Sequence, residues 1–298
     1  MNSINNNLLG FALAGVGTFL FSLKSIFIKF LYADHLNADE VLVLRMALSL
    51  PIYIGILLWI SRDKKSYVGL TKKVVAKIFM LGFFGYYLAS LLDLMSLELI
   101  SAQLERLGLF TYPFMVALLG YFFFNEKITK NIIFSLLITY AGLYIVMGQE
   151  LKLTGEGVIL GTALVLGSAL SFAFYVLLSK GYIKRYGSQL FTCIAMISSC
   201  IFGLLHGVVV LDSTDFIISQ QAWLWLFLLV VFSTVIPSFM MVEALDRVGP
   251  TQTGIMGMLG PVFTIGLAIY FLDEPFTLCL VMGVILMMIG VANLVVRN

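Results

Sequence analysis

Long runs of apolar residues alternate with short polar links along almost the whole chain. Ten runs stand out, at residues 8–30, 39–60, 78–97, 101–124, 131–149, 157–179, 189–211, 222–244, 250–272 and 276–296. An α-helix needs about 20 apolar residues to cross the roughly 30 Å hydrocarbon core of a bilayer. None of the runs shows the strict polar–apolar alternation of a membrane barrel strand, and inside lipid a continuous apolar run satisfies its backbone only as a helix. The pattern therefore predicts an all-α integral membrane protein with ten transmembrane helices.

Composition narrows the reading further. Of the 298 residues, 61% are hydrophobic and 11% are charged, against about 25% charged in an average soluble domain. The links are too short to hold an extramembrane domain. A net charge of +2 offers no electrostatic case for nucleic acid. Cys193, Cys200 and Cys279 all fall within apolar runs and form no disulfide framework. Residues 1–7 carry no Lys or Arg, so the first run is expected to be a retained helix and not a signal peptide.

Thirteen of the 18 basic residues fall on one side of the bilayer: Arg62, Lys64, Lys65, Lys72, Lys73, Lys77, Lys127, Lys130, Lys180, Lys184, Arg185, Arg247 and Arg297. Links on the other side carry Lys152 or acids such as Asp212 and Asp215, with Lys29 at a helix end. Basic residues stay in the cytoplasm, so both termini are expected there, in a bacterial inner membrane. Trp59, Trp223 and Trp225 sit near run ends, where indoles anchor at the interface.

The fourth and ninth runs share a pattern. Pro113 and Glu126 recur as Pro261 and Glu274, both 148 residues later, and Gly142 recurs as Gly290 at the same offset. Ser22 and Ser25 are echoed by Ser168 and Ser171 at an offset of 146. Two units follow, 1–150 and 151–298. With five spans each, the second unit is inverted, an arrangement that supports alternating access to a site between the halves.

These features, with Pro113…Asn125-Glu126 and Pro261…Asp273-Glu274 ending each half's fourth helix and Arg45 inside the second, resemble the EamA family of the drug/metabolite transporter superfamily. The resemblance covers essentially the whole chain. It implies two inverted five-helix repeats around a central cavity, and transport of small metabolites. It does not choose among amino acids, nucleosides, vitamins and drugs.

Charged side chains inside the bilayer cost about 2.5–3.5 kcal/mol each on insertion scales, so those present call for a reason. Lys24, Arg45, Asp93, Glu105 and Arg106 all fall in the outer half of their spans. Asp93 and Arg106 lie at similar distances from the 98–100 link, which predicts an Asp93–Arg106 ion pair. Three bases face two acids, which leaves one cation to meet a substrate carboxylate or phosphate, or to snorkel to the interface. Arg45 is assigned to substrate contact or cavity electrostatics, Lys29 to snorkelling, and Glu105 to taking up and releasing a proton. A purely structural ion-pair role remains open for all of them.

Tyr86, Tyr112 and Tyr175 lie inside spans, where a phenol can stack on a substrate and hydrogen-bond it, or simply pack. Gln103, with Ser22, Ser25, Ser168 and Ser171, is expected to line the cavity or to bond locally. Pro113 and Pro261 are the hinge candidates, since a proline inside a span interrupts its hydrogen bonding. Gly254, Gly257 and Gly260 recur every third residue and predict a close helix contact. Glu126 and Glu274, beside turns, are expected to cap or anchor helices, and Glu243, Asp246 and Arg247 to lie at an exposed inner helix end.

No phosphate-binding loop is present, so ATP is not the direct energy source, and no metal-ligand cluster or nucleophile–base set is legible. No cofactor is expected. The sequence thus points to a secondary transporter of a small amino-acid-like or amphipathic metabolite, with protons as a candidate coupling ion. A multidrug exporter and a non-transporting membrane receptor stand as the alternatives.

Overall fold

A computed structural model describes residues 2–62, 70–125, 127–155, 157–211 and 218–297. Lys64, Lys65, Glu126, Asp212 and Asp215 lie outside the described residues, as do the side chains of Asp246 and Arg297. The described residues are helical with no strand. In order they form α1 (Asn2–Ala33), α2 (Ala38–Ile60), α3 (Lys72–Gly82), α4 (Ala89–Leu99), α5 (Ala102–Leu109), α6 (Tyr112–Phe124), α7 (Lys130–Thr154), α8 (Gly157–Tyr186), α9 (Ser188–Val210), α10 (Gln220–Val230), α11 (Ile236–Gly257), α12 (Leu259–Leu272) and α13 (Leu278–Arg297). Among the described residues, eight helical stretches are long and apolar enough to cross a bilayer, and Leu259–Leu272 and Leu278–Asn293 are shorter apolar helices.

Several helices start where the sequence offers a cap. Asn37 and Glu40 form a capping box at α2, and the hydroxyls of Thr71, Ser101, Thr129 and Ser219 accept an N–H in the first turn of α3, α5, α7 and α10.

The third and eighth spans are not regular. A π-helical turn over Phe83–Leu88 joins α3 to α4, and another over Val231–Val235 joins α10 to α11. The two turns begin 148 residues apart, the offset already seen between the prolines. The fourth and ninth spans are broken at matching places, after Leu109 and at Met258. Both fourth-helix ends stop on a left-handed residue, Asn125 at φ 54° and Asp273 at φ 53°.

The breaks revise the expected kinks. Pro113 and Pro261 do not bend a continuous helix. They sit in the first turn of α6 and of α12, where the missing N–H has no intrahelical acceptor to lose. The ninth span differs from expectation in a second way. Helical geometry persists through 245–250 and the interruption comes at Met258. Contacts along α1 show where the chain reverses: Gly10 faces Arg247 and Val248 and Gly17 faces Met241, whereas Gly15 faces Met256 and Ser22 bonds Gly260. The first set runs antiparallel to α1 and the second parallel, so the chain reverses between Val248 and Met256 and the helical stretch Ile236–Gly257 is not one straight rod. Pro250 falls in that interval, where it removes an intrahelical hydrogen bond and favours the bend.

Each half lends its first helix to the other. α1 packs on α10, α11 and α12, while α8 packs on α4, α5 and α6. α2 lies along α9 and α7 along α13. The α7–α13 seam is close because Gly142 and Gly283 face each other, and a Cβ on Gly142 would lie 2.6 Å from the Gly283 carbonyl oxygen. Of the glycine row predicted on the ninth span, Gly260 alone makes such an approach among the described residues. Gly257 faces open space, and the surroundings of Gly254 are not described.

Candidate functional site

The intramembrane charges converge where α1, α4 and α5 meet. Lys24 Nζ lies 2.6 Å from Asp93 Oδ2 and 3.9 Å from Glu105 Oε1. Ser25, one residue on, donates to Glu105 Oε2 at 2.7 Å. The carboxylates are sealed, with Asp93 3% and Glu105 0% exposed, but Lys24 keeps 18% of its side chain accessible. The cluster is therefore reached from the Lys24 side.

Two oxygens in it, Asp93 Oδ1 and Glu105 Oε1, are buried with no hydrogen-bond donor among the described residues. Both carboxyl groups approach the same Lys24 ammonium. That single cation offsets one of their two charges, and a buried acceptor left unsatisfied costs about 1–3 kcal/mol. The geometry suits a carboxyl pair that takes up a proton when Lys24 is drawn away.

The expected Asp93–Arg106 pair is not formed; Lys24 takes Asp93 instead. Hairpin depth sets the height of a side chain but not its direction, and neighbours on a helix diverge by about 100°. Glu105 faces α1, and Arg106 faces α12. There the guanidinium lies over Gly260, where an added Cβ would be 2.4 Å from Nη2. Among the described residues no carboxylate lies within 4.0 Å of Arg106, which is half-buried. Arg45 on α2 is buried beside this cluster, and among the described residues neither its Nε nor the buried Gln103 amide nitrogen has a hydrogen-bond partner.

α12 is tied to the same place. Ser22 donates to the Gly260 carbonyl at 3.2 Å, and Thr264 donates to the Ser22 carbonyl at 3.4 Å. The broken fourth and ninth spans thus meet at Arg106–Gly260, with α1 bonded to both.

The tyrosines form a separate layer. The Tyr86 and Tyr175 hydroxyls are 3.1 Å apart, and Tyr175 stacks on Phe172, whose ring meets Tyr112 edge-on. Tyr86 precedes Asp93 by seven residues, about 10 Å of helix. The aromatic layer therefore lies nearer the α3 end of that span than the charges do. Ser168 and Ser171 do not join the charge cluster. They donate to the Ala89 and Phe84 carbonyls around the π-helical turn.

Around the α4–α5 link the bundle is tied by groups whose pairing the sequence did not disclose. Glu274 accepts from the Ala102 and Gln103 backbone N–H groups at 2.7 and 3.1 Å, so it caps α5 across the two halves. Glu150 accepts from the Ser101 N–H and hydroxyl, both at 2.6 Å. Lys29 does not snorkel; it donates to the Leu97 and Ile100 carbonyls at 2.6 and 2.7 Å and caps α4. Burial pushes the Glu274 carboxyl above its ordinary range, against the pull of the two N–H groups and Lys29. A second unforeseen chain runs Asp39–His206–Tyr87, with steps of 3.0 Å each. Sequence proximity carried no signal for it, since its members lie on three different spans.

A polytopic helical bundle with a partly accessible charge cluster where broken helices of its two halves meet is the architecture of a membrane transporter. The profile of the EamA-like transporter family matches residues 8–148 and again 159–296. The chain belongs to that family, and its fold is the family's two-repeat helical transporter fold. It is 27% identical over 274 residues to the uncharacterized transporter YcbK of Bacillus subtilis, covering 90% of this chain and 86% of that one. It is 21% identical to the uncharacterized transporter YetK of the same organism, over 79% and 72% of the two chains. A solved crystal structure superposes with a TM-score of 0.68 at 14% identity, over 98% of this chain and 97% of the other, which speaks to the fold alone.

Proposed function

We propose that this protein is a secondary transporter that moves a small organic anion together with a proton by alternating access, in a bacterial inner membrane with both termini cytoplasmic. The observation that carries the reading is the Lys24–Asp93–Glu105 cluster, sealed on its acidic side and accessible at its ammonium. A carboxylate arriving at Lys24 competes with Asp93 for the same cation. Asp93, freed from Lys24 but still buried beside Glu105, then takes a proton, since two adjacent buried carboxylates do not both stay ionised. Anion and proton bind together and leave together. Arg106, half-buried with no carboxylate within 4.0 Å among the described residues, supplies a second contact for the anion, and Arg45 keeps the region cationic from behind.

The aromatic layer of Tyr86, Tyr112 and Tyr175 suits the organic body of the solute, with amino acids and their derivatives the favoured class. The two inverted halves, 1–150 and 151–298, rock about this site, with the breaks before Pro113 and Pro261 as hinges. The outer ties at Glu150, Glu274 and Lys29 describe a state closed to the outside. A thermal-shift screen of the purified protein against carboxylate-bearing metabolites tests the ligand class, because a ligand of the folded state raises its melting temperature. A ligand whose stabilisation disappears in Lys24→Met supports the reading. Ligands that stabilise both proteins equally, or stabilisation by cations alone, refute it.

A further inference from the structure

A second site lies at the inner mouth, far along the bundle from the charge cluster. The first turns of α3 and the last turns of α8 enclose a cleft of about 320 Å³ lined by Lys73, Lys77, Arg185, Tyr182, Tyr186 and Thr71. Three cations converge on it and, among the described residues, no acid lines it. Among the described residues none of the three forms an ion pair. Lys73 and Lys77 stand one helical turn apart, a like-charge spacing that weakens a helix. They also lie near the N-terminus of α3, where the helix dipole disfavours cations. Arg185 is held over the Tyr186 ring at 5.4 Å, so its charge is fixed at the cleft.

The adjoining face of α3 is different in kind. It presents an apolar groove of about 540 Å³ lined by Leu70, Val75, Ala76, Phe79 and Met80, with Lys72 at its edge. Met80 is 53% exposed, on a helix that the apolar pattern places in the bilayer. A basic cleft at headgroup depth beside an apolar groove facing the acyl region matches one chemistry: a phosphodiester with a hydrocarbon tail.

We propose that this cleft binds the headgroup of an anionic phospholipid of the inner leaflet, with one acyl chain along the α3 groove. The lipid joins α3 of the first half to α8 of the second at their inner ends, so it acts as a tie between the halves on that side. The depth of the cleft follows from the charge asymmetry of the links, and lipid binding there is independent of what the transporter carries.

Native mass spectrometry of the full-length protein, titrated with phosphatidylglycerol or phosphatidylcholine of matched chains, tests it. The wild type is expected to bind phosphatidylglycerol in preference. Replacing all three cations, Lys73→Gln with Lys77→Gln and Arg185→Gln, is expected to weaken that binding roughly a hundredfold, given the contribution of each basic residue near an anionic headgroup. A matched triple on the same side but outside the cleft, Arg62→Gln with Lys127→Gln and Lys130→Gln, is expected to change it less than about threefold. Equal losses in both triples mean diffuse attraction and overturn the site. Full competition by inorganic phosphate at equal concentration assigns the cleft to a soluble anion and overturns the lipid. If the cleft triple does not fold, the wild type still decides, because equal binding of the two lipids overturns the proposal by itself.

Discussion

At the residue scale, the proposed function turns on a buried ion pair whose members are costly alone. Removing one partner of such a pair costs about 3–5 kcal/mol, whereas replacing both with apolar residues is often neutral. Lys24→Met is therefore expected to destabilise the protein more than the double variant Lys24→Met/Asp93→Leu, as read by thermal unfolding in detergent, while both lose transport. Gly260→Ala gives the complementary case. Its new methyl meets only the flexible end of Arg106, so unfolding is expected to shift by less than about 1 kcal/mol, while KM for an anionic solute rises. Equal effects on folding and transport would place Arg106 in a packing role. The charged residues themselves were legible in the sequence, because insertion cost marks them. Their pairing was not, since spacing along two helices says nothing about the third helix, α1, that inserts Lys24 between them.

At the element scale, the structure departs from ten plain helices. The broken fourth and ninth spans were signalled by Pro113 and Pro261, although the break precedes each proline. The π-helical turns at Phe83–Leu88 and Val231–Val235 left no trace in composition, because a one-residue widening changes neither hydropathy nor propensity. The tie between Glu274 and the start of α5 was half legible: the sequence marked Glu274 as a capping group but did not say which helix it caps. This tie titrates. Its carboxyl is pushed up by burial, so the folded protein takes a proton there at a higher pH than the unfolded chain does. By linkage, the stability this group contributes is present below the ordinary carboxylate range and is lost as pH rises through the raised value. Opening the tie would hydrate Glu274 and return its carboxyl to the ordinary range, so protonation favours the closed tie. In a Cys279→Ser background, labelling of Gln103→Cys from outside is expected to slow as pH falls, and Glu274→Gln, neutral at every pH, to label slowly throughout. Labelling of the otherwise intact protein that does not change with pH would remove the tie from gating.

At the scale of the whole molecule, the chain offset of 148 residues organises more than the sequence motif did. It relates the two π-helical turns, the two broken spans and the two left-handed helix ends as well as the prolines. The exchange of α1 and α8 between the halves was beyond reach of the sequence, since apolar helices do not reveal their neighbours. The α7–α13 seam is expected to be the stationary contact during rocking, because its glycines leave no room for sliding side chains. Gly142→Leu is expected to cost about 1–3 kcal/mol by overpacking, again by thermal unfolding; no loss would mean that the seam opens freely.

The central claim is that an organic anion and a proton move together through the Lys24–Asp93–Glu105 cluster. Its most direct test is solute uptake into proteoliposomes under an imposed proton gradient, with internal pH recorded in the same vesicles. The account predicts saturable uptake of a carboxylate solute, speeded by the gradient and accompanied by internal acidification, with the proton movement lost in Glu105→Gln and all flux lost in Lys24→Met. Uptake that ignores the gradient and survives both substitutions would contradict it.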